Sequence, residues 1–424
     1  MELIFSTGWM LIKEIPSFFL NPFLYIILML AWLQYHRQTL FERKLFHRRL
    51  TSPWEQWFHT VIHGLWGGML ASLLILGLGI LIQPFDLWFI AGLSFLFSLF
   101  HIQYFCFAYA GGLYVLLITV GKLWPQGSQI SNLGWLWDSL SSANLPSVIG
   151  LMALFYLVES FLLRRNRGRG ASPIYLNGKR GMLVGAYQLQ KFWVLPIFMF
   201  VSVPVGTEAS LSIPSWWPML LAGAGSGLSM TFSGFPVVLG FSDLMVSKLP
   251  HVKAKRSAKS LFLFGVILLV LAFVSKWFIL SGLFAGLFAF AGHTVLIRWN
   301  QWRQWKETPI FVQLGKGVVV LAVLPDTPAE KLGILPGDTL MKVNGADINR
   351  SEDLYPALQL NSAFCKMEVR NVEGHMKYLQ RAVYEGEHHQ LGLILAPDEQ
   401  TPYYVDLKPI SIVQLFNQQI DKGA

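Results

Sequence analysis

About nine stretches of nearly unbroken apolar residues precede residue 297: 18–35, 61–82, 87–103, 104–124, 146–163, 192–205, 217–245, 261–278 and 279–297. A helix needs about 20 consecutive apolar residues to cross a bilayer. The pattern therefore predicts an α-helical polytopic membrane domain of about nine spans over residues 1–300. Residues 1–15 read as a short interfacial helix, and 135–143 as a helix lying along the outer interface. The first run carries no small-residue cleavage site and continues as a full span, which argues against a cleavable signal peptide. After residue 300 the pattern changes. A juxtamembrane linker is expected over 301–314, short alternating runs fill 315–397, and a tail follows over 398–424. In that tail Ile410, Val413, Phe416 and Ile420 mark a short amphipathic helix.

Composition sharpens this division. Of the 424 residues, 54% are hydrophobic and 13% charged, against about 25% charged in soluble domains. The formal net charge of +9 would suit a nucleic-acid partner, but most Lys and Arg sit in short loops between apolar runs. One loop holds Arg37, Arg43, Lys44, Arg48 and Arg49; a second Arg164, Arg165, Arg167, Arg169, Lys179 and Arg180. A third holds Lys248, Lys253, Lys255, Arg256 and Lys259, and Arg298, Arg303 and Lys306 follow the last run. The positive-inside rule puts these loops and the carboxyl-terminal region in the cytoplasm, with the amino terminus outside and no nucleic-acid partner. Cys106 and Cys365 stand in different regions, so no disulfide framework and no metal-ligand pair is expected. Gly64 and Gly68, Gly223 and Gly227, and Gly282 and Gly286 have the spacing that lets helices approach closely, here within one subunit.

The densest local signals lie in residues 317–345. An apolar, β-branched run over 318–324 predicts a buried strand. Thr327-Pro328-Ala329-Glu330 opens a short helix as a capping box with proline in its first turn, and Gly333 ends it. Pro336-Gly337-Asp338 is a turn, 339–343 a second strand, and Asn344-Gly345 a tight hairpin. This order resembles a PDZ domain of the bacterial type, a small α+β fold. The resemblance implies a domain that binds an extended peptide by adding it as a strand to a sheet edge.

A second helix starts at Ser351-Glu352-Asp353 and runs to about Leu360, with Pro356 awkward inside it, so that the regular helix begins nearer Tyr355. Strands follow over 364–369, 375–383 and 391–395. PDZ domains hold a ligand's terminal carboxylate on backbone N–H groups of a Gly-Leu-Gly-Phe-like loop. Leu391-Gly392-Leu393-Ile394 is the best match and Leu314-Gly315 a weaker one. A match at the domain's end implies a permuted strand order. The groove would then lie between Leu393-Ile394 and the helix near Tyr355 and Leu358. The plain alternative is a core strand with a glycine bulge.

Catalytic readings find little support. His59-Thr60-Val61-Ile62-His63 has the histidine spacing of a zinc protease, but Thr60 stands where the general base belongs. Thr231-Phe232-Ser233-Gly234 lacks the first glycine of a rhomboid-type serine motif, and only His293 could partner Ser233. Asp243 lies near a span end, and Glu159 near Arg164 and Arg165, which leaves a transporter as a further alternative. No catalytic residue, metal or cofactor is expected.

As a whole the chain resembles the MinJ family of membrane adaptors in division-site selection of rod-shaped Gram-positive bacteria. The likeness covers nearly the whole length and is most specific in residues 360–369 and 384–393. It implies a non-enzymatic adaptor at septa and poles, bridging a DivIVA-like scaffold to a MinD-like ATPase. That ATPase, with MinC, blocks FtsZ assembly away from mid-cell. An intramembrane protease with a regulatory PDZ domain, or a transporter, is the alternative from the residues alone.

Overall fold

The computed structural model describes residues 13–16, 18–100, 107–129, 134–178, 181–203, 220, 229–313, 315–361, 363–382, 391–398, 401 and 405. Cys106, Leu314, the Gly223/Gly227 pair, the expected tail helix at 410–420 and most of the expected 1–15 helix lie outside these residues.

Six helices and a short strand come first: α1 (Pro22–Phe46), α2 (Pro53–Leu78), β1 (Leu81–Ile82), α3 (Pro84–Phe100), α4 (Phe107–Leu123), α5 (Gly134–Ser142) and α6 (Leu145–Asn166). Then come β2 (Ser172–Asn177), β3 (Leu183–Val203), β4 (Ser229–Met245), α7 (Pro250–Val274) and α8 (Ser281–Lys306), which has a π-helical turn at Phe288–Gly292. Proline in the first turn of α1, α2, α6 and α7 sits where a helix N–H has no partner anyway.

Among the described residues four helices, α2, α6, α7 and α8, are long and apolar enough to cross a membrane. A bent pair, Lys13–Leu20 with α1, brings the number up to five if the pair is one span. This corrects the expectation of about nine spans. The runs at 87–103 and 104–124 form α3 and α4, each 17 residues, hence about 26 Å long and short of a hydrocarbon core of about 30 Å. The described parts of the runs at 192–205 and 217–245 are not helical: apart from Leu220 they belong to β3 and β4. Both are rich in β-branched and aromatic residues, and a continuous apolar run does not distinguish a buried strand from a helix by periodicity. Each also holds a proline, Pro196 opposite Pro236, that would break a helix interior.

Strand β3 is the spine of the sheet. One edge pairs antiparallel with β4 from Tyr187 to Val203. The other takes β2 over Leu183–Gln188 and, in parallel, β1 at Phe200 and Val201. Between those two partners the edge faces helices instead. Tyr35 Oη accepts from Phe192 N–H (3.3 Å) and Ser72 Oγ from Phe198 N–H (2.9 Å). Pro196 lies in the same gap, where its missing N–H breaks no ladder bond. The Val194 and Pro196 carbonyls press against α2: a Cβ on Gly64 would sit 2.2 Å from Val194 O, and one on Gly68 2.4 Å from Pro196 O. The spacing expected to bring helices together here packs a helix against a strand edge. Gly282 and Gly286 do serve helix packing, against Thr119 and Leu116 of α4.

Polar pairs, one of them buried, secure the end of the sheet. Asp243 at the end of β4 meets Lys253 (3.4 Å) and accepts from Ser257 Oγ (2.7 Å), both on α7. Past α8, Glu307 meets Lys248 (3.5 Å) and Arg256 (3.6 Å), Ile310 N–H donates to Val246 O (3.2 Å), and Gly185 N–H to Phe311 O (2.8 Å). Phe311 is fully buried in the main core.

Gly64→Ala should destabilise the protein by about 1–3 kcal/mol or more, since neither backbone can yield. The same change at Gly77, on the same helix with nothing within 4 Å, should be neutral or gain up to about 1 kcal/mol of helix propensity. Thermal unfolding of the two variants in detergent checks this, and equal midpoints would refute the edge packing.

Candidate peptide-binding groove

The carboxyl-terminal unit comprises β5 (Val318–Val323), α9 (Pro328–Lys331), β6 (Thr339–Val343), β7 (Ala346–Asp347), α10 (Leu354–Gln359), β8 (Phe364–Arg370), β9 (Met376–Ala382) and β10 (Leu393–Leu395). Its sheet runs β10-β5-β6-β8-β9, with β7 on β6. The last strand in sequence thus pairs with the first and forms one edge, the permuted order expected from the position of Leu391-Gly392.

Local chemistry explains most of these elements. Asn344 and Gly345 both take positive φ, as a two-residue hairpin requires. Asn344 also bolts the domain together: its Nδ2 donates to Ala357 O of α10 (3.0 Å), and its Oδ1 accepts from Lys366 N–H of β8 (2.9 Å). The capping at α9 differs from the expected box. Thr327 Oγ1 donates back to Leu324 O (2.6 Å), and Glu330 accepts from Asp326 N–H (2.7 Å) rather than from Thr327. A 3₁₀ turn at Ser351–Asp353 precedes α10, so Pro356 falls in the first α-helical turn, where its missing N–H is harmless. Buried Asp338 accepts from Leu335 N–H (3.0 Å) and Lys377 Nζ (3.1 Å), which ties the turn before β6 to β9.

Leu391 is buried, and Leu393 and Leu395 are half-buried, in the same core cluster as Leu354, Ala357 and Leu358 of α10. Ile394, one position along the pleat, turns to the other face and packs in the main core. Tyr355 is 47% exposed on α10. The backbone is equally divided. Gly392 O accepts from Leu324 N–H (2.8 Å) and Ile394 pairs with Ala322, so these residues point their polar groups at β5. Leu391, Leu393 and Leu395 then point theirs at the outer edge. Two of these are engaged: Leu391 O accepts from Ala329 N–H (2.9 Å) and Leu395 O from Tyr175 Oη of β2 (3.0 Å). Among the described residues Leu393 carries the open edge. Gly392 has φ +78°, and a Cβ there would lie 2.4 Å from Thr327.

The opposite face of this edge lies on the sheet of the apolar domain. Tyr187 Oη donates to Leu321 O, Gln313 Nε2 to Ala396 O (3.0 Å), and Leu321, Ala322, Ile394 and Ala396 belong to the main core. Sequence reasoning missed Leu354, Leu395 and Tyr175 at the groove. Alternation along β10 pointed to Leu395; nothing local marked Tyr175, which is 220 residues away from its partner.

The other candidate sites are not assembled. His59 and His63 lie one turn apart on α2, where His63 Nδ1 contacts His59 O (2.6 Å) and His59 meets Glu55 at 3.9 Å. Among the described residues no group of three or more His, Cys, Asp or Glu could hold a metal. Ser233 lies on β4, opposite Met199, and His293 on α8 contacts Tyr156 Oη (3.0 Å). Asp243 is committed to Lys253, and Glu159 is buried on α6.

Fold and groove together define a PDZ-bearing protein with a multi-helix apolar domain. A family model for the PDZ domain matches residues 309–368. The chain is 29% identical over 399 residues to the cell division topological determinant MinJ of Bacillus subtilis (strain 168), covering 93% of this chain and 96% of that protein. It is 30% identical over 260 residues to the probable cell division topological determinant MinJ of Lacticaseibacillus paracasei, covering 61% of this chain and 67% of that one. The chain belongs to the MinJ family.

Cys365, on β8 in the PDZ core, is 1% exposed, and burial pushes its thiol up to about 11. In a Cys106→Ser background it should resist maleimide at pH 8 and react once the chain is denatured, because the thiolate is the nucleophile. The unfolded thiol ionises first, near pH 8.5, so its contribution to stability is complete below that pH and lost as pH rises through about 11. Equal labelling rates for native and denatured chain at pH 8 would refute this burial.

Proposed function

We propose that this chain is a non-enzymatic membrane adaptor in division-site selection, with a peptide from a partner protein held along β10. The observation that carries the reading is the match across 93% of the chain to a protein named a cell division topological determinant. The PDZ sheet supports it, because its edge strand keeps a free stretch beside an apolar helix face formed by Leu354 and Leu358. The groove comprises Leu391, Gly392, Leu393 and Ile394 with Tyr355 and Leu358 across from them. The basic loops orient the PDZ domain to the cytoplasm. Confinement at the membrane raises the effective concentration of a weak peptide contact. The partners are a DivIVA-like scaffold and a MinD-like ATPase, and the chain gathers at septa and poles.

Leu393→Pro tests the groove. It deletes the N–H at the middle of the open edge without removing a bond to β5. A fluorescent fusion of the unaltered chain should mark septa and poles. Leu393→Pro, at equal membrane abundance, should spread evenly and give minicells or filaments, as should Gly392→Val. Undiminished septal enrichment of Leu393→Pro would sink the groove assignment, and uniform signal from the unaltered chain would sink the role in division-site selection.

A further inference from the structure

We infer that Arg48 and Arg49, in the loop between α1 and α2, read the terminal carboxylate of the peptide held along β10; this rests on the groove reading above. They line an open cavity of about 250 Å³ with Leu324, Pro325 and Thr327. Those three residues form the turn from β5 into α9. The same turn carries the start of β10. Leu324 and Ala329 donate their N–H groups to Gly392 O and Leu391 O, and Thr327 packs directly on Gly392. The cavity therefore opens at the Leu391–Gly392 end of the free edge, where strand addition places one end of the ligand.

The loop that carries the arginines is fastened just after them, at Leu50 and Thr51, by a buried carboxylate. Glu42, 1% exposed near the end of α1, accepts from Leu50 N–H (3.1 Å), Thr51 N–H (3.1 Å) and Thr51 Oγ1 (3.0 Å), and from Ser172 Oγ of β2. The loop is thus folded back on its helix and fastened to the sheet that carries the PDZ domain. Glu42 spends its oxygens on these donors. Among the described residues neither Arg48 nor Arg49 has a hydrogen-bond or ion-pair partner. Two unpaired guanidiniums beside a strand end suit a carboxylate, which each can grip through two parallel N–H bonds.

The other end of the edge narrows the class of ligand. Tyr175 Oη already holds Leu395 O, so a strand running far along β10 in both directions is obstructed. Among the described residues, what remains open is Leu393 and the cavity next to it. A chain terminus fits this short edge, whereas an internal loop would have to pass Tyr175.

The test uses the full-length chain in phosphatidylcholine nanodiscs. The probe is a fluorescent hexapeptide, selected on the unaltered chain from a library displayed with free carboxyl termini, then made as acid and as amide. The acid should bind roughly tenfold or more tighter than the amide, as loss of a charged hydrogen-bond pair implies. In the Arg48→Ala/Arg49→Ala double variant that ratio should fall to near one, with amide affinity unchanged. Arg48→Lys/Arg49→Lys should keep part of the preference, because charge remains without the fork. A double alanine variant that keeps the full acid preference overturns the arginine assignment and leaves the groove standing. A selected peptide that binds Gly392→Val undiminished, or a library that yields no binder, overturns both. If exchange of the lipid for phosphatidylglycerol abolishes the arginines' effect while acid binding persists, the pair belongs to lipid headgroups and the assignment fails.

Discussion

The Val194 carbonyl oxygen occupies the place where a side chain on residue 64 would begin. That contact is one point in a wider constraint: β3 has a stretch of edge with no strand beside it, and every N–H and C=O along it needs a partner or cover. Tyr35 and Ser72 supply hydroxyls, Pro196 removes one donor, and glycines on α2 let the helix close over the rest. An uncovered strand edge in an apolar setting leaves polar groups unsatisfied at a cost of several kcal/mol each. Helix α2 packs where it does because it solves that problem.

The same strand carries the PDZ domain. Gly185 and Tyr187 at its start bond to Phe311 and Leu321, while Trp193, Leu195 and Ile197 further along are buried among the helices. The edge strand β10 is consequently built into the fold of the apolar domain, not hung from it on a tether. Residues 307–313, which read as linker, are pinned by Glu307, Ile310 and Phe311. The edge of β10 is shaped from both sides, by PDZ residues and by Tyr175 and the α1–α2 loop. In the proposed adaptor role this geometry would give a ligand on β10 one orientation relative to the membrane, so a weak contact would gain from both proximity and alignment.

Much of the PDZ unit was legible because its signals are local. Positive φ at Asn344, Gly345, Gly333 and Gly337 demands residues that tolerate it, and those residues stand at the required offsets. The alternation of β8, with Cys365, Met367 and Val369 inward, follows from the pleat. The groove helix was legible in type and blurred at its start, since the 3₁₀ turn that places Pro356 harmlessly depends on Asp353 gathering the Asn349 and Arg350 N–H groups.

What the amino-acid sequence determined by itself was the division into an apolar part and a PDZ part, the turn chemistry, and where positive charge clusters between the apolar runs, although much of that charge stands on helix ends and not in loops. Tertiary structure decided the state of the long apolar runs. Residues 192–205 are as apolar as a span, and periodicity does not separate a buried strand from a buried helix. Pairing with β4 and the close approach of Gly64 and Gly68 resolved it, and both involve residues far away in the chain. The same holds at the candidate site. Leu391 to Ile394 were visible as a loop and strand, but the alternation that leaves Leu393 open and the arrival of Arg48, Arg49 and Tyr175 at its two ends come from packing across hundreds of residues.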